Sequence, residues 1–370
     1  MTAIAGVVAS VDLGPLPHQR AGTCEEVAPP EPVRVGLLAP PTASFDAAAA
    51  GGLLHLGRLA EGLAARGHSV TLIGAATAGL TANGYELVDT DPDGRWRGDP
   101  VVAARLHATE IPRILDRLRP QVVGDHTHSG YLPTGQWPVP TAVTVYQRSP
   151  FEVFSWPLPD HVSLVAVSVH QRCHTLWWPW WDTIPPAIPL DQYPLSLEHD
   201  GPALFLGPLL PGHGAGVALG AAHHAGRPII LAGTHPSPEA AAHADELARR
   251  VGSDDAVIAV VDAPQRGSLL ARAGCLLAPL LLSEPYSLEI LQALACGTPV
   301  IGLHDTVAAE LVRPEASGLL VRRLSELPTA IRRVDRLDPK TVREHAARFD
   351  VAVMVRAYEQ LFARLVEGRP

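Results

Sequence analysis

The sequence predicts an α/β chain built as two doubly wound, Rossmann-like domains with an interdomain cleft. Three observations carry that expectation. The chain has 370 residues, 47% of them hydrophobic, enough for two cores. Short apolar runs alternate with helical stretches along nearly its whole length. A proline-rich passage, "IPPAIPLDQYPL" (Ile184 to Leu195), interrupts the alternation, which then starts again. The expected division is an N-terminal extension over 1–32, a first domain over 33–190, a second over 191–349 and a closing helix over 350–370.

Residues 1–32 have no sustained periodicity. "VRVGLL" from Val33 is a short apolar strand. The helix after it places Leu56, Leu59, Ala60 and Leu63 at helical spacing and stops at Gly67. "SVTLIG" is the next strand, so the order is βαβ and the sheet is parallel. A helix around Val101 to Leu118 and strands at "QVVG", "TAVTVY" and "LVAVSV" continue the series. After the proline-rich linker, strands follow at "ALFLG", "PIILAG", "AVIAVV", "CLLAPLL", "PVIGL" and "GLLV". The last segment spaces Met354, Tyr358, Leu361 and Leu365 along one helical face. In such sheets ligands sit beyond the carboxyl ends of the strands.

Composition excludes several classes. A net charge of -9 gives no electrostatic support for nucleic acid or an anionic membrane. Lys340 is the only lysine, so a phosphate held by side chains needs arginine, histidine or neutral groups. The four cysteines lie far apart, as free thiols in a reducing compartment do. No apolar run reaches the ~18 residues of a membrane helix, and the N-terminus lacks the basic start of a signal peptide. A soluble, cytoplasmic protein without membrane insertion is expected. His126 and His128 share a face if extended, yet no third ligand stands at metal spacing, so no metal is expected.

The chemistry concentrates in "SEPYSLEILQALACGTPV", Ser283 to Val300. A strand precedes it and "LEILQALACG" is helical, with Gly297 as its stop. The turn between them leaves backbone N–H groups at Ser287 and Leu288 at a helix N-terminus, which suits an anion. Glu284 lies just before that terminus and Gln292 lies more than one turn along the helix. Read alone, the two could equally be a turn residue and a solvated polar group.

Together with its surroundings this segment resembles the retaining glycosyltransferases of family 4, which have the GT-B fold. Their hallmark is two glutamates separated by seven residues, in a stretch read as E-P-F-G-L-x-x-x-E-A-x-A-x-G-T-P-V. Here it reads Glu284-Pro285-Tyr286-Ser287-Leu288, then Gln292-Ala293, Ala295 and Gly297-Thr298-Pro299-Val300. The glycine pair Gly51-Gly52, "VVGDHTHSG" with His126, "AVSVHQR", "IPPAIPLDQY", "FLGPLLPGHG" and "VAAELVRPEASGLLV" resemble further family segments, in the same order. The resemblance implies a nucleotide-sugar donor on the second domain, an acceptor on the first, and a final helix that returns to the first. It gives Glu284 and His126 the reacting end. It gives the donor to Gly51, Gly52, Gly207, His213, Gly233, Val261, Pro285, Tyr286, Ser287, Leu288 and Gln292. No cofactor is implied beyond the nucleotide-sugar co-substrate, whose base stays open.

Three departures fall on the donor site. Where the family has an arginine, a lysine and the second glutamate, this chain has Pro208, His213 and Gln292. Losing one charge-assisted contact costs about 1.5–3 kcal/mol. Three readings remain: an active enzyme with a rebuilt donor site, an enzyme of the same fold using an unusual donor, and an inactive relative acting as a helper. A soluble small molecule, as in specialised-metabolite (antibiotic) biosynthesis, is the acceptor expected. Tyr146, Gln147 and Arg148 are its candidate contacts. Four tryptophans, Trp177, Trp178, Trp180 and Trp181, either staple the hinge or stack on an acceptor. A homodimer is one admissible assembly.

Overall fold

The computed structural model describes residues 30–40, 50–74, 83–91, 93, 100–127, 139–147, 158–198, 200–234, 237–258, 263–280 and 284–368. The chain divides into two compact units. One takes the residues through Pro186 together with Val351–Pro370; the other is Ala187–Asp350.

The first unit is a seven-stranded parallel sheet in the order β3-β2-β1-β4-β5-β6-β7. Its strands are β1 (Arg34–Leu38), β2 (Ser69–Gly74), β3 (Glu86–Asp89), β4 (Val122–Asp125), β5 (Thr141–Val145), β6 (Val162–Ala166) and β7 (Trp180–Thr183). β4 and β5 are buried at every position, which a parallel sheet covered on both faces requires. α1 (Ala50–Ala65), α2 (Pro100–Leu118), α3 (Val169–Cys173) and α11 (Val351–Val366) complete the unit. Two strands escaped sequence reading. β3 is too polar to stand out, and β7 lies inside the tryptophan cluster, one strand beyond the expected last one at "AVSVHQR". β7 is an edge strand, and its register against β6 slips at Leu164/Val165.

The closing helix α11 is held onto this unit by packing and by charge. Gly62 of α1 makes room for Val355: a Cβ there would lie 2.4 Å from Val355 Cγ2. Glu359 is buried, and its Oε1 accepts from Arg66 Nε at 2.8 Å and His68 Nε2 at 3.0 Å. His68 Nδ1 accepts the Val33 N–H at 3.2 Å, so Nε2 carries the proton that Glu359 receives. Burial pushes the Glu359 pKa up, but these hydrogen bonds outweigh it and leave the carboxylate below its ordinary range.

The second unit is a six-stranded parallel sheet in the order β10-β9-β8-β11-β12-β13. Its strands are β8 (Ala203–Leu206), β9 (Ile229–Ala232), β10 (Ala256–Ile258), β11 (Cys275–Ala278), β12 (Val300–Leu303) and β13 (Gly318–Val321). Its helices are α4 (Ala215–Ala225), α5 (Pro238–Ala248), α6 (Ala263–Arg272), α7 (Leu288–Ala295), α8 (Ala308–Leu311), α9 (Leu327–Arg333) and α10 (Pro339–Ala346). Local chemistry sets their ends. Ser237 caps α5 with Pro238 behind it, and Asp338 caps α10 by accepting from Lys340 and Thr341 N–H. Gly226, at φ 72°, closes α4 in the left-handed conformation. Leu276, Ile290, Leu291, Leu294 and Val300 lie in the apolar layer between the sheet and α7.

Candidate active site

In the second sheet the chain order reverses between β8 and β11, the place where an open α/β sheet binds ligands. The loops leaving these two strands carry Gly207, His213, Pro285, Tyr286 and Ser287 of the expected donor residues. Gly207 follows β8 and Gly233 follows β9. Gly233 must lack a side chain: a Cβ there would lie 1.7 Å from the Gly207 carbonyl oxygen. The post-β8 loop then runs along its neighbour, with Leu209 N–H donating to Thr234 O at 3.0 Å. It turns through Gly212 (φ 82°), His213 and Gly214 (φ 100°) into α4. Gly214 abuts Pro279 beyond β11, where a Cβ would lie 2.6 Å from Pro279 Cγ. The two loops are therefore in contact, and the half-buried His213 sits beside that junction.

After β11 comes Glu284, half-buried, then Pro285, Tyr286 and the start of α7. Ser287 is the N-cap, and its Oγ accepts the Ile290 N–H at 3.4 Å. The same hydroxyl donates to Glu289 Oε2 at 3.1 Å. Ser287 caps the helix through its side chain, which leaves the backbone N–H groups of Leu288 and Glu289 in the first turn without an intrahelical partner. The Glu289 carboxylate on that turn opposes a phosphate, so the helix start offers it less than bare geometry suggests. Tyr286 is half-buried, and desolvation, with Glu310 nearby, pushes its phenol well above the ordinary range. Gln292 lies on the second turn of α7 with a buried Oε1.

The first unit holds the other candidates at the carboxyl ends of β4 and β5. Its chain order reverses between β1 and β4. His126 follows β4 and is 2% exposed, with Nδ1 2.9 Å from Tyr146 Oη. Its ring folds back over Gly124, where a Cβ would stand 3.6 Å from Nε2, and lies 5.5 Å from the Tyr358 ring of α11. Tyr358 in turn shares a 2.8 Å hydrogen bond with Thr144 on β5. Tyr146 is thus bound to His126, and burial raises its phenol well above the ordinary range. Gln147 offers its carbonyl to Gln171 Nε2 at 2.7 Å. Gly51 and Gly52 fall in the first turn of α1. Arg148 and Val261 lie outside the described residues, as does His128.

Sequence reading passed over Asp125, the last residue of β4. Its carboxyl is 2% exposed and accepts the Thr127 N–H at 2.9 Å. Desolvation pushes its pKa up to about 6, against the Thr127 hydrogen bonds that lower it. Only its place at the switch point, with its burial, marks it.

The four indoles do not converge. Trp178 is in the core with Val143, Val145 and Leu164, and Trp180 packs against it, donating from Nε1 to Thr175 O at 3.1 Å. Trp177 is 66% exposed. Among the described residues no group of three His, Cys, Asp or Glu is arranged for a metal, and no helix is long and apolar enough to cross a membrane.

Comparison with known proteins places this geometry. No curated protein sequence matches the chain. Among solved structures, it is similar to AviGT4, a glycosyltransferase involved in avilamycin A biosynthesis: 25% identity, TM-score 0.69, covering 91% of this chain and 99% of that one. Sucrose-phosphate synthase from Thermosynechococcus elongatus aligns at 18% identity and TM-score 0.72 over 91% and 100% of the chains. Anabaena HepE, in complex with UDP and glucose, aligns at 15% identity and TM-score 0.64 over 89% and 99%. The fold is therefore GT-B, and residues 203–337, most of the second unit, match the family described as "Glycosyl transferases group 1".

Proposed function

We propose that the protein is a retaining glycosyltransferase, resembling family 4, that moves a sugar from a nucleotide-sugar to a soluble small-molecule acceptor. One observation carries the proposal. The loops after β8 and β11 meet at the switch point of the sheet, where Gly214, next to His213 in the chain, abuts Pro279. Glu284 and the start of α7 continue directly from the second loop, within the segment that matches the glycosyltransferase family. Glu284 is assigned to donor-sugar hydroxyls and Gln292 to the nucleoside. Phosphate falls to Gly51, His213 and the α7 start. The likeness to a glycosyltransferase of avilamycin A biosynthesis supports a small specialised metabolite as acceptor. HepE with UDP and glucose supports a nucleotide-sugar as donor.

His126 enters this reading through its place after β4, and its enclosure between Tyr146 and Tyr358 gives it a second, architectural duty. The departures at Pro208, His213 and Gln292 favour one rival, an inactive relative that serves as a binding partner. Calorimetric titration with UDP, GDP, ADP and dTDP separates the two. Micromolar binding of one nucleotide, weakened in Gln292→Ala, is expected of the enzyme; binding of none favours the rival. Glu284→Ala is expected to abolish transfer, and unchanged turnover would remove that carboxylate from the mechanism.

A further inference from the structure

Tyr146, the first residue after β5, is held at both ends. On the backbone side Gln171 Nε2 donates to the carbonyls before and after it, Val145 O at 2.9 Å and Gln147 O at 2.7 Å. Gln171 is itself fixed, because its Oε1 accepts the Val167 N–H at 2.9 Å. At the far end the Tyr146 hydroxyl lies 2.9 Å from His126 Nδ1. Behind His126 stands Tyr358 of α11, its ring 5.5 Å away and its own hydroxyl 2.8 Å from Thr144 Oγ1 on β5.

The two partners differ in what they leave open. His126 is enclosed, and its Nε2 is buried with the rest of the ring. That edge is turned into packed interior: with Leu37 and Phe362 it surrounds the space a side chain on Gly124 would take. Nδ1 is the other edge, and it is committed to Tyr146. Tyr146 is only half-buried, at the carboxyl edge of the sheet, where ligands of such sheets bind. A side chain locked by a surrounding layer of contacts, with part of it still open, is how a binding group is preorganised.

We propose that His126 is a positioning residue that works through Nδ1 on Tyr146, and that Tyr146, not the histidine, faces the reactants. The assignment rests on the glycosyltransferase reading above and changes one task within it: Glu284 keeps the reacting end, and His126 acts from behind Tyr146. Burial keeps the phenol protonated well above the ordinary range. An amide in place of the imidazole could either accept from that hydroxyl or donate to it.

The test exploits the two edges of the ring, which two amides copy separately. His126→Asn puts an amide where Nδ1 stands, and His126→Gln puts one where Nε2 stands. The chain has six tyrosines, so with carbon-13 at tyrosine Cζ the Tyr146 signal is identified by its loss in Tyr146→Phe. It is expected to stay in place in His126→Asn and to move in His126→Gln. Turnover is followed as nucleoside diphosphate released from UDP-glucose, GDP-mannose, ADP-glucose and dTDP-glucose. His126→Asn should stay within about twofold of wild type, while His126→Gln and Tyr146→Phe should each lose about tenfold. The double variant His126→Gln with Tyr146→Phe should be no worse than either single one. Activity kept by His126→Gln and lost by His126→Asn would mean that Nε2 meets the reactants, and overturns the proposal. Additive losses overturn it too, as does a Tyr146 signal that His126→Gln leaves in place. Losses that merely follow the order of the thermal melts would make the pair structural, with the same result. If wild type releases nucleotide from none of the four donors, the transferase reading has failed and the reactant-facing role of Tyr146 falls with it; the Tyr146 signal still decides the His126 contact.

Discussion

The two units share an architecture and differ in what they bury. Among the described residues, the first encloses His55, His68, Asp91, His107, Asp125, His126 and Glu359. The buried polar residues of the second are Ser287, Thr298 and Ser317, each at a helix or strand junction. The same doubly wound plan therefore supports two interiors. One interior is almost wholly apolar, and the other adds buried charged and polar groups that must find partners. The family profile follows that line, covering 203–337 of the apolar unit and nothing of the polar one.

The difference can be tested by damaging each interior in kind. The largest effect is expected in the apolar unit at Gly233→Ala. The added Cβ meets a backbone oxygen that no rotamer can move aside, so outright failure to fold is expected in urea melts. A loss under about 1 kcal/mol would mean that the β8 and β9 ends are far more yielding than they look.

A matched pair comes next. Leu291→Ala in the apolar core should cost about 2–5 kcal/mol, with the same loss at pH 7 and pH 4. Glu359→Ala in the polar unit should cost about 3 kcal/mol at pH 7. Its folded pKa is depressed, so its stabilisation is present above the unfolded value of about 4.5 and is lost as pH falls through the lower folded one. The gap between wild type and Glu359→Ala should therefore narrow below pH 4.5, while that of Leu291→Ala stays constant. Equal pH behaviour in both would erase the distinction between the units.

The smallest and sharpest test is Asp125→Asn. The folded pKa of Asp125 is raised to about 6, so its stabilising contribution is complete below 3.8 and is lost as pH rises through 6. The substituted amide keeps an acceptor for Thr127 N–H without the charge. The variant should be more stable than wild type by about 2–3 kcal/mol at pH 7 and equal to it near pH 4. His107 runs the other way. Desolvation lowers it to about 4, so its contribution is present above 6.5 and is lost as pH falls through 4. In wild type the two slopes oppose each other between pH 4 and 6; removing the Asp125 carboxylate should unmask the histidine as a falling melting temperature in acid. A constant difference between variant and wild type across that range would refute the Asp125 assignment.

The apolar unit is also the one the sequence describes more fully. β8 and β11 are four-residue strands buried at every position, so a continuous apolar run suffices to find them. Ser287 and Gly297 bracket α7 with ordinary capping chemistry. In the polar unit β3 reads as surface, because Glu86 is exposed and its other residues are only partly buried. β7 hides among tryptophans whose indoles go to different places. Asp125 and Gln171 look like any loop and helix polar residues. Gln171 receives the Val167 N–H and donates to the Val145 and Gln147 carbonyls, a junction that exists only once three segments meet. Long-range polar pairing leaves no periodic trace. The hold on the Tyr193 backbone was illegible for the same reason: it comes from Arg343, which lies far along the chain.

That arginine has a bearing on how the protein can be recombined. Because its guanidinium joins Leu190, Tyr193 and Ala295, the stretch that looks like a spacer belongs mechanically to the second unit. A chimera that borrows a different second unit has to cross over upstream of Leu190, inside the Pro185–Pro189 run. A junction placed later would graft a foreign α7 onto a native collar and separate Arg343 from the carbonyls it was shaped to grip.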